Sequence, residues 1–192
     1  MKIIVFGGDG FCGWPTSLHL AAAGHDVVIA DNLSRRKIDS EISSSSLTKI
    51  ATVEERIACA NSLIGNIAFE LLDVSTDPRG VVNLLKNHRP DAIVQFAEQR
   101  AAPYSMLGDR ERRYTVDNNI TGTHNICSAV VEIDPSIQIV HLGTMGVYGY
   151  NKVFGSIPEG YLDVEIKATQ LGTEILYPAN PGSVYHLTKC LD

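Results

Sequence analysis

Short apolar runs alternate along the chain with longer segments in which apolar positions recur at helical spacing. Five such runs are rich in β-branched residues and predict buried strands: 2–6, 25–31, 67–74, 91–97 and 137–143. Helical periodicity predicts four helices: 11–23, 54–65, 77–90 and 106–131. Strands that alternate with helices favour an α/β fold of the Rossmann type, a doubly wound parallel sheet with helices on both faces.

Two features refine this outline. The segment 32–65 is polar at first, contains the run SEISSSS and predicts a surface excursion before its helical end. Asp77 precedes Pro78 at the start of the third helix, where an aspartate caps the helix and a proline fits its first position. The pattern repeats nowhere within the chain and favours one domain over residues 1–192.

A glycine-rich turn follows the first strand directly. Gly7, Gly10 and Gly13 form GxxGxxG, and Phe11 and Cys12 lie inside it. Such a turn lets the backbone approach a pyrophosphate, while the free N–H groups and the dipole of the next helix attract the anion. A strand, this turn and a helix in succession predict a dinucleotide site.

The second strand ends in an acidic residue that bears on the choice of dinucleotide. Asp31 stands 31 − 13 = 18 residues after Gly13, where a carboxylate accepts hydrogen bonds from ribose hydroxyls and repels a 2′-phosphate. This favours NAD over NADP, and Asn32 beside it is a further candidate cofactor contact. Arg35 and Arg36 leave alternatives open: a contact with a 2′-phosphate, or else a solvated loop or a contact with another phosphate.

Composition narrows the function further. The 192 residues carry 16 basic and 22 acidic side chains, a net charge of −6, which argues against a nucleic-acid partner. No apolar run approaches the roughly 18 residues of a membrane span. Four widely spaced cysteines and histidines without ligand spacing predict neither a disulfide framework nor a metal site, and the cytoplasm is the expected location.

Near the end of the chain, YHLTK places Tyr185 and Lys189 on one face of a predicted helix. An ammonium beside a phenol favours the phenolate and lowers the pKa of the tyrosine, which makes it a usable base near neutral pH. The motif YxxxK alone is common. Its combination with the glycine turn, Asp31 and Thr144 in HLGTMGVYG is more specific.

In order and spacing, these motifs resemble those of the extended short-chain dehydrogenase/reductase family, the NAD-dependent sugar-nucleotide epimerases and dehydratases. NNITGT, with Asn118 and Asn119, matches a further signature. The resemblance implies that Thr144, Tyr185 and Lys189 are catalytic. It also implies cofactor contacts, which together with those predicted from the residues are Gly7, Gly10, Phe11, Cys12, Gly13, Asp31, Asn32, Arg35, Arg36, Asp73, Val74, Phe96, Ala97, Glu98, Asn118 and Lys189. For Asp73 and Val74, which follow the third strand, a contact with the adenine and the capping of a turn stay open as alternatives.

Within the family, the chain resembles the UDP-sulfoquinovose synthases most closely. The residues that carry this are GGDGFCGWPTSLHL, DNLSRR, FAEQRAAPYSM, LGTMG and YHLTK. The resemblance implies a nucleotide-sugar substrate such as UDP-glucose, sulfite as co-substrate and a homodimer formed through helices. The substrate contacts that it implies are Arg100, Asn119, Thr144, Tyr185 and His186.

Two departures from the family remain. Val147 stands where UDP-sulfoquinovose synthases usually carry an acidic residue in TMGEYG, and valine cannot move a proton. A 4-epimerase or dehydratase of another nucleotide sugar therefore stays open. The chain also stops three residues after Lys189, so the resemblance implies an N-terminal portion without the substrate lobe, and a non-catalytic NAD-binding fragment is a third hypothesis.

Overall fold

A computed structural model describes residues 1–149 and 179–191, and two further strands by their backbone alone. Five strands form one parallel sheet: β1 (Lys2–Phe6), β2 (Asp26–Asp31), β3 (Ile67–Leu71), β4 (Ala92–Gln95) and β5 (Gln138–His141). The helices are α1 (Gly13–Ala22), α2 (Ser34–Glu41), α3 (Val53–Leu63), α4 (Pro78–His88), α5 (Asp109–Val116), α6 (Gly122–Ile133) and α7 (Val184–Lys189). The strands β6 (Tyr161–Glu165) and β7 (Gly172–Leu176) pair with each other in antiparallel fashion.

The strand order in the sheet is β3-β2-β1-β4-β5, so β1 is central and the chain reverses its winding between β1 and β4. Ile4 pairs in register with Val28 on one side and with Ile93 on the other. This order is that of a Rossmann sheet, whose ligands bind beyond the carboxyl ends of the strands at the switch point. The predicted fold class is confirmed.

Alternate residues of the central strands feed two hydrophobic cores. Ile4 and Phe6 pack on one face of the sheet with apolar residues of α4 and α6. Ile3 and Val5 pack on the opposite face with residues of α1 and α3. Helices therefore cover both faces, and the short apolar strands are buried because neither face meets water.

Three elements differ from the sequence predictions. The polar segment after β2 contains the helix α2, in which no residue is buried. The sequence has no apolar stripe there from which a helix could be predicted. The third strand ends at Leu71, although Leu72 and Val74 are still buried. The long helix predicted over 106–131 is divided by a π-helical turn, Asp117–Thr121.

Helix starts follow the local sequence closely. Asp77 caps α4 because its Oδ1 accepts a hydrogen bond from the backbone N–H of Gly80 at 2.8 Å, with Pro78 at the first position as predicted. Thr52 and Glu55 form a capping box that begins α3. These contacts fix where both helices begin beside the sheet.

The apolar residues of α6 bear on the predicted homodimer. Two apolar residues of this helix, Ile126 and Val130, are 1% and 5% exposed and belong to the core beneath the sheet. They therefore do not supply a subunit interface. Among the residues that the structure describes, no helix is both long and apolar enough to cross a membrane.

Candidate active site

A cleft opens at the carboxyl ends of β1, β2 and β4, at the switch point of the sheet. Its lining includes most of the predicted cofactor residues and the predicted catalytic tyrosine. The lining residues are Gly7, Asp9, Gly10, Phe11, Cys12, Gly13, Asp31, Asn32, Ser34, Arg35, Leu72, Val74, Gln95, Phe96, Ala97, Glu98, Arg100, Asn118, Leu142 and Tyr185. The predicted residues outside this lining are Arg36, Asp73, Asn119, Thr144, His186 and Lys189.

The glycine turn is too close to its surroundings for side chains. Gly7 has φ +72°, and a Cβ there would lie 2.6 Å from the backbone carbon of Phe96. A Cβ on Gly13 would overlap the carbonyl oxygen of Gly7. Cys12, the residue before α1, makes no side-chain cap to the helix. The turn thus leaves room beside bare backbone at a helix N-terminus, as a pyrophosphate requires.

Asp31 joins the end of β2 to this turn. Its Oδ2 accepts from the backbone N–H of Asp9 at 2.9 Å, and its Oδ1 accepts from that of Leu33 at 2.7 Å. Burial raises the pKa of Asp31, although the Leu33 hydrogen bond and the charges of Arg36 and Arg35 act against the shift. The carboxylate is held facing the cleft, and its remaining lone pairs can accept from ribose hydroxyls.

Asp73 lies behind the cleft wall and organises the loop after β3. Its Oδ1 accepts from the backbone N–H and hydroxyl of Ser75 and from the N–H of Thr76, and its Oδ2 accepts from Asn32 at 2.8 Å. Burial acts to raise the pKa of Asp73, but these hydrogen bonds outweigh it and lower the pKa. Asp73 therefore positions Asn32, which does line the cleft.

The two arginines of DNLSRR have separate surroundings. Arg35 lines the cleft and pairs with Asp39 one turn along α2, with Nε 3.6 Å from Oδ2. Arg36 points to Asp9 in the glycine turn and makes two hydrogen bonds with its carboxylate. Arg100 is exposed at another part of the cleft, where its guanidinium is open to an anion.

Lys189 on α7 is buried in a cluster with Glu98, in the loop after β4, and His141 of β5. Its Nζ donates to Glu98 at 2.9 Å from Oε1 and 2.8 Å from Oε2, and the lysine side chain is 1% exposed. The Nε2 of His141, the last residue of β5, lies 2.8 Å from the same Nζ. Since Glu98 lines the cleft, this cluster fixes α7 against the cleft wall.

Thr144 lies in the turn that follows β5. Its Oγ1 accepts from the backbone N–H of Gly146 at 3.1 Å and begins the 3₁₀ turn Met145–Tyr148. Gly146 in turn packs against the ring of His186, so closely that a Cβ on this glycine would overlap the imidazole. The turn that carries Thr144 thus contacts the helix that carries Tyr185. His186 is 4% exposed and pairs through Nδ1 with the hydroxyl of Ser183 at 3.1 Å.

Tyr185 and Asn119 are set by a shared network of polar contacts. The backbone N–H of Tyr185 donates to the hydroxyl of Ser105 at 3.1 Å, and its side chain lines the cleft. Asn119 is fully buried, exchanges hydrogen bonds with the backbone of Gln99 and donates to the hydroxyl of Thr188 at 3.0 Å. Asn119 therefore positions α7 and the loop after β4, and Asn118 faces the cleft beside it.

The comparisons with known proteins agree with this geometry. The family described as "NAD dependent epimerase/dehydratase family" matches residues 3–191. The chain belongs to the NAD-dependent epimerase/dehydratase family. Members of this family are enzymes that use NAD, and NAD is the cofactor of this chain.

Two curated relatives and one solved structure show how far the similarity to the epimerase/dehydratase family reaches. UDP-sulfoquinovose synthase of Sulfolobus acidocaldarius is 42% identical and the chloroplastic enzyme of Spinacia oleracea 39%, each over 100% of this chain. The chain spans 48% and 39% of their lengths. UDP-glucose-4-epimerase from Stenotrophomonas maltophila, crystallised with NAD and formylated UDP-arabinopyranose, superimposes with a TM-score of 0.70 at 22% identity, over 100% of this chain and 46% of its own.

The residues of the cleft fit the cofactor of the epimerase/dehydratase family. The glycine turn offers a backbone cradle that a Cβ would fill, and Asp31 presents a carboxylate for a ribose. Gln95 is 2% exposed, lines the cleft and uses its Oε1 for the N–H of Ala97. Within the described part of the chain, its Nε2 has no hydrogen-bond partner, so a donor is left for a polar group of a ligand.

Sequence reasoning missed several residues of the site. Asp9 and Gln95 line the cleft, and His141 contacts the predicted catalytic lysine. The signal for Gln95 in the sequence is that a polar residue interrupts the apolar run DAIVQFA. The roles of Asp9 and His141 depend on partners more than 25 residues away, which spacing does not reveal. Across the described residues no group of histidine, cysteine and acidic side chains is arranged to hold a metal ion.

Proposed function

We propose that this chain is the NAD-binding part of an enzyme of the UDP-sulfoquinovose synthase type, which converts UDP-glucose and sulfite to UDP-sulfoquinovose. The observation that supports the reaction is that Tyr185 lines the same cleft as the glycine turn and Asp31, so one cleft joins the cofactor site to a candidate base. The similarity to UDP-sulfoquinovose synthases over the whole chain supports the substrate.

The proposed roles follow from the chemistry of each side chain. When bound, NAD supplies an oxidant, because its nicotinamide ring can accept a hydride from a sugar carbon and return it. The phenol oxygen of Tyr185 takes the proton of the sugar 4-hydroxyl, and Thr144 Oγ1 holds the same hydroxyl by a hydrogen bond. Lys189 stabilises the tyrosinate by its positive charge.

The substrate contacts are part of the same proposal. Arg100 is exposed at the cleft and suits a sulfite or the diphosphate of a nucleotide sugar, because a guanidinium binds such anions with two parallel hydrogen bonds. His186 lies beside the turn of Thr144, where it helps to shape the pocket for the sugar. Asn119 acts on the substrate side through its hold on Thr188 in α7.

A 4-epimerase is the second candidate, and Val147 is the observation that favours it. Loss of water across two carbons needs a group that removes a proton and a group that donates one, and Val147 can do neither. Inversion at carbon 4 needs only the tyrosine, the lysine, the threonine and NAD. The two candidates differ in whether sulfite is consumed.

The deciding experiment incubates the purified chain, alone and with the substrate lobe restored, with NAD, UDP-glucose and sulfite. The products are separated by chromatography that resolves UDP-glucose from its isomer UDP-galactose and are then identified by mass spectrometry, while the state of the nicotinamide is followed at 340 nm. A synthase gives a sulfite-dependent product with the mass of UDP-sulfoquinovose, whereas an epimerase gives UDP-galactose with or without sulfite. Tyr185→Phe is expected to lower either rate at least a hundredfold, in line with the loss of an acid–base group. NAD binding without turnover, and without any effect of Tyr185→Phe, identifies a non-catalytic NAD-binding fragment.

Three further properties belong to the proposal. Residues 1–192 form one NAD-binding domain, and the whole enzyme has a substrate lobe beyond it. The enzyme is a homodimer whose interface uses residues other than Ile126 and Val130. Its location is the cytoplasm, because exposed thiols such as Cys12 and Cys59 suit a reducing compartment.

A further inference from the structure

Asp9 is a buried carboxylate inside the glycine turn, at a position where the turn itself requires no acid. Its side chain is 4% exposed and contacts the guanidinium groups of both Arg36 and Arg56. Arg36 comes from α2 and Arg56 from α3, so the aspartate joins the turn to both helices of the segment that follows β2. The two arginines compensate the charge of the buried carboxylate, because an unpaired charge would be costly at this depth.

The contacts with Arg36 direct two of its guanidinium nitrogens at the carboxylate of Asp9. Nε donates to Oδ2 of Asp9 at 3.1 Å, and Nη2 donates to Oδ1 at 3.0 Å, in the two-pronged manner typical of arginine and carboxylate. Arg56 also lies over the ring of Trp14, 4.3 Å from its centre. Both arginines are therefore held by groups other than a ligand.

This cluster stands next to the group that faces the cofactor ribose. The backbone N–H of Asp9 donates to Oδ2 of Asp31 at 2.9 Å, and both residues line the cleft. An arginine at this place is the residue type that accommodates a 2′-phosphate and so permits NADP. Arg36 comes near enough to play that part, but its donors are directed at Asp9.

We propose that Asp9 is a second determinant of cofactor preference, which favours NAD over NADP by occupying Arg36 so that its charge does not serve a 2′-phosphate. The proposal rests on the use of NAD by the proposed function. Asp31 repels the phosphate directly. Asp9 engages Arg36, one of the two cations near Asp31 that could offset this repulsion.

The test compares the dissociation constants of NAD and NADP for the whole chain and its variants, measured by calorimetry without any turnover. Asp9→Asn keeps the shape of the side chain but releases Arg36. We expect the preference for NAD, as the ratio of the two constants, to fall about tenfold, which is the lower range for one hydrogen bond to a charged group. In the double variant Asp9→Asn with Arg36→Gln, the native preference is expected to return.

Two further variants test whether Arg36 is the residue through which Asp9 acts. Arg113→Gln in the Asp9→Asn background is expected to keep the altered ratio, since Arg113 pairs with Asp109 on α5 and does not line the cleft. Arg36→Gln alone is expected to leave the ratio unchanged, and it serves as the test if Asp9→Asn does not fold. A tenfold fall in NADP affinity on Arg36→Gln would mean that Arg36 already contacts the phosphate, and this overturns the proposal.

Two outcomes for Asp9→Asn also count against the proposal. Equal loss of NAD and NADP affinity would show that Asp9 only supports the turn. An altered ratio that persists in the double variant would show that Arg36 is not the residue released. A native chain that binds neither cofactor overturns both this proposal and the proposed function, whereas a native chain that prefers NAD, with an unchanged ratio in Asp9→Asn, overturns this proposal alone.

Discussion

The carbonyl oxygen of Gly7 occupies the space in which a side chain at position 13 would begin. At the scale of single residues, the glycine turn is therefore a matter of contact distance as well as of backbone freedom. Gly24 differs, because its φ of +86° favours glycine but no atom lies within 4 Å of a Cβ built there. Glycine is required at position 13 for steric reasons, whereas at position 24 it is favoured by the backbone conformation alone.

Gly13→Ala is expected to abolish measurable NAD binding and to lower the free energy of unfolding by about 2 kcal/mol, because the added methyl group forces the turn and α1 apart. Gly24→Ala is the matched control. It is expected to cost about 1 kcal/mol through its left-handed backbone and to leave NAD affinity within twofold. Calorimetric titration and urea unfolding measure the two quantities. Equal effects of the two substitutions on NAD binding would contradict this account.

Asp73 gives a pH-dependent prediction. Its pKa is lowered in the folded chain, so its charged form contributes stability that is present above the ordinary value of 3.8 and is lost as the pH falls through the lowered folded value. Asp73→Ala is expected to reduce the free energy of unfolding by about 1 to 2 kcal/mol at pH 7, the scale of its lost hydrogen bonds. The gap from the native chain should narrow below pH 3.8 in urea unfolding. A gap that widens in acid would contradict the sign.

At the scale of elements, the ion pair of Glu98 and Lys189 holds α7 against the loop that follows β4. His141 of β5 lies beside this pair. Removal of one partner of a buried ion pair leaves the other charge without compensation. Glu98→Gln is therefore expected to lower the free energy of unfolding by about 3 kcal/mol.

The double variant tests whether that loss comes from removing the negative charge opposite the Lys189 ammonium. Glu98→Gln combined with Lys189→Met removes both charges, and it is expected to be more stable than Glu98→Gln alone by 1 kcal/mol or more. Urea unfolding of the native chain, both single variants and the double variant gives the coupling energy. Strictly additive losses would show that the two side chains act independently.

Elements were predictable where a local signal existed. The central strands are buried on both faces and so read as apolar runs, and the cap at Asp77 depends on neighbours three residues away. The polar helix α2 lacked such a signal, and the π-helical turn at Asp117–Thr121 interrupts a pattern that is helical on both sides. Local periodicity cannot report such an interruption, because the apolar spacing continues through it.

The site shows the same division between local and distant information. The glycine turn and Asp31 were predictable because each stands at a strand end that the apolar pattern marks. The contact of Asp9 with Arg36 and that of His141 with Lys189 join residues 27 and 48 positions apart. Only the arrangement of the sheet brings these side chains together. The two contacts could therefore not be predicted from any spacing in the sequence.

At the scale of the whole molecule, most residues of the cofactor site come earlier in the chain than the proposed catalytic residues. The strands β1, β2 and β4, whose ends carry the glycine turn, Asp31 and Gln95, are complete by residue 95. Tyr185 and Lys189 lie on α7, and Thr144 follows β5. The first group depends on parallel strand pairing and the second on the packing of a late helix against the finished sheet.

The early position of the cofactor strands has a consequence for how the chain is made. Synthesis proceeds from the N-terminus at roughly 5 to 20 residues per second, so Tyr185, 185 − 95 = 90 residues after the end of β4, is added roughly 5 to 18 s after it. During that interval a growing chain already contains β1, β2 and β4, whose ends carry the glycine turn, Asp31 and Gln95. The cofactor can therefore bind to the nascent chain on the ribosome before Tyr185 has been synthesised.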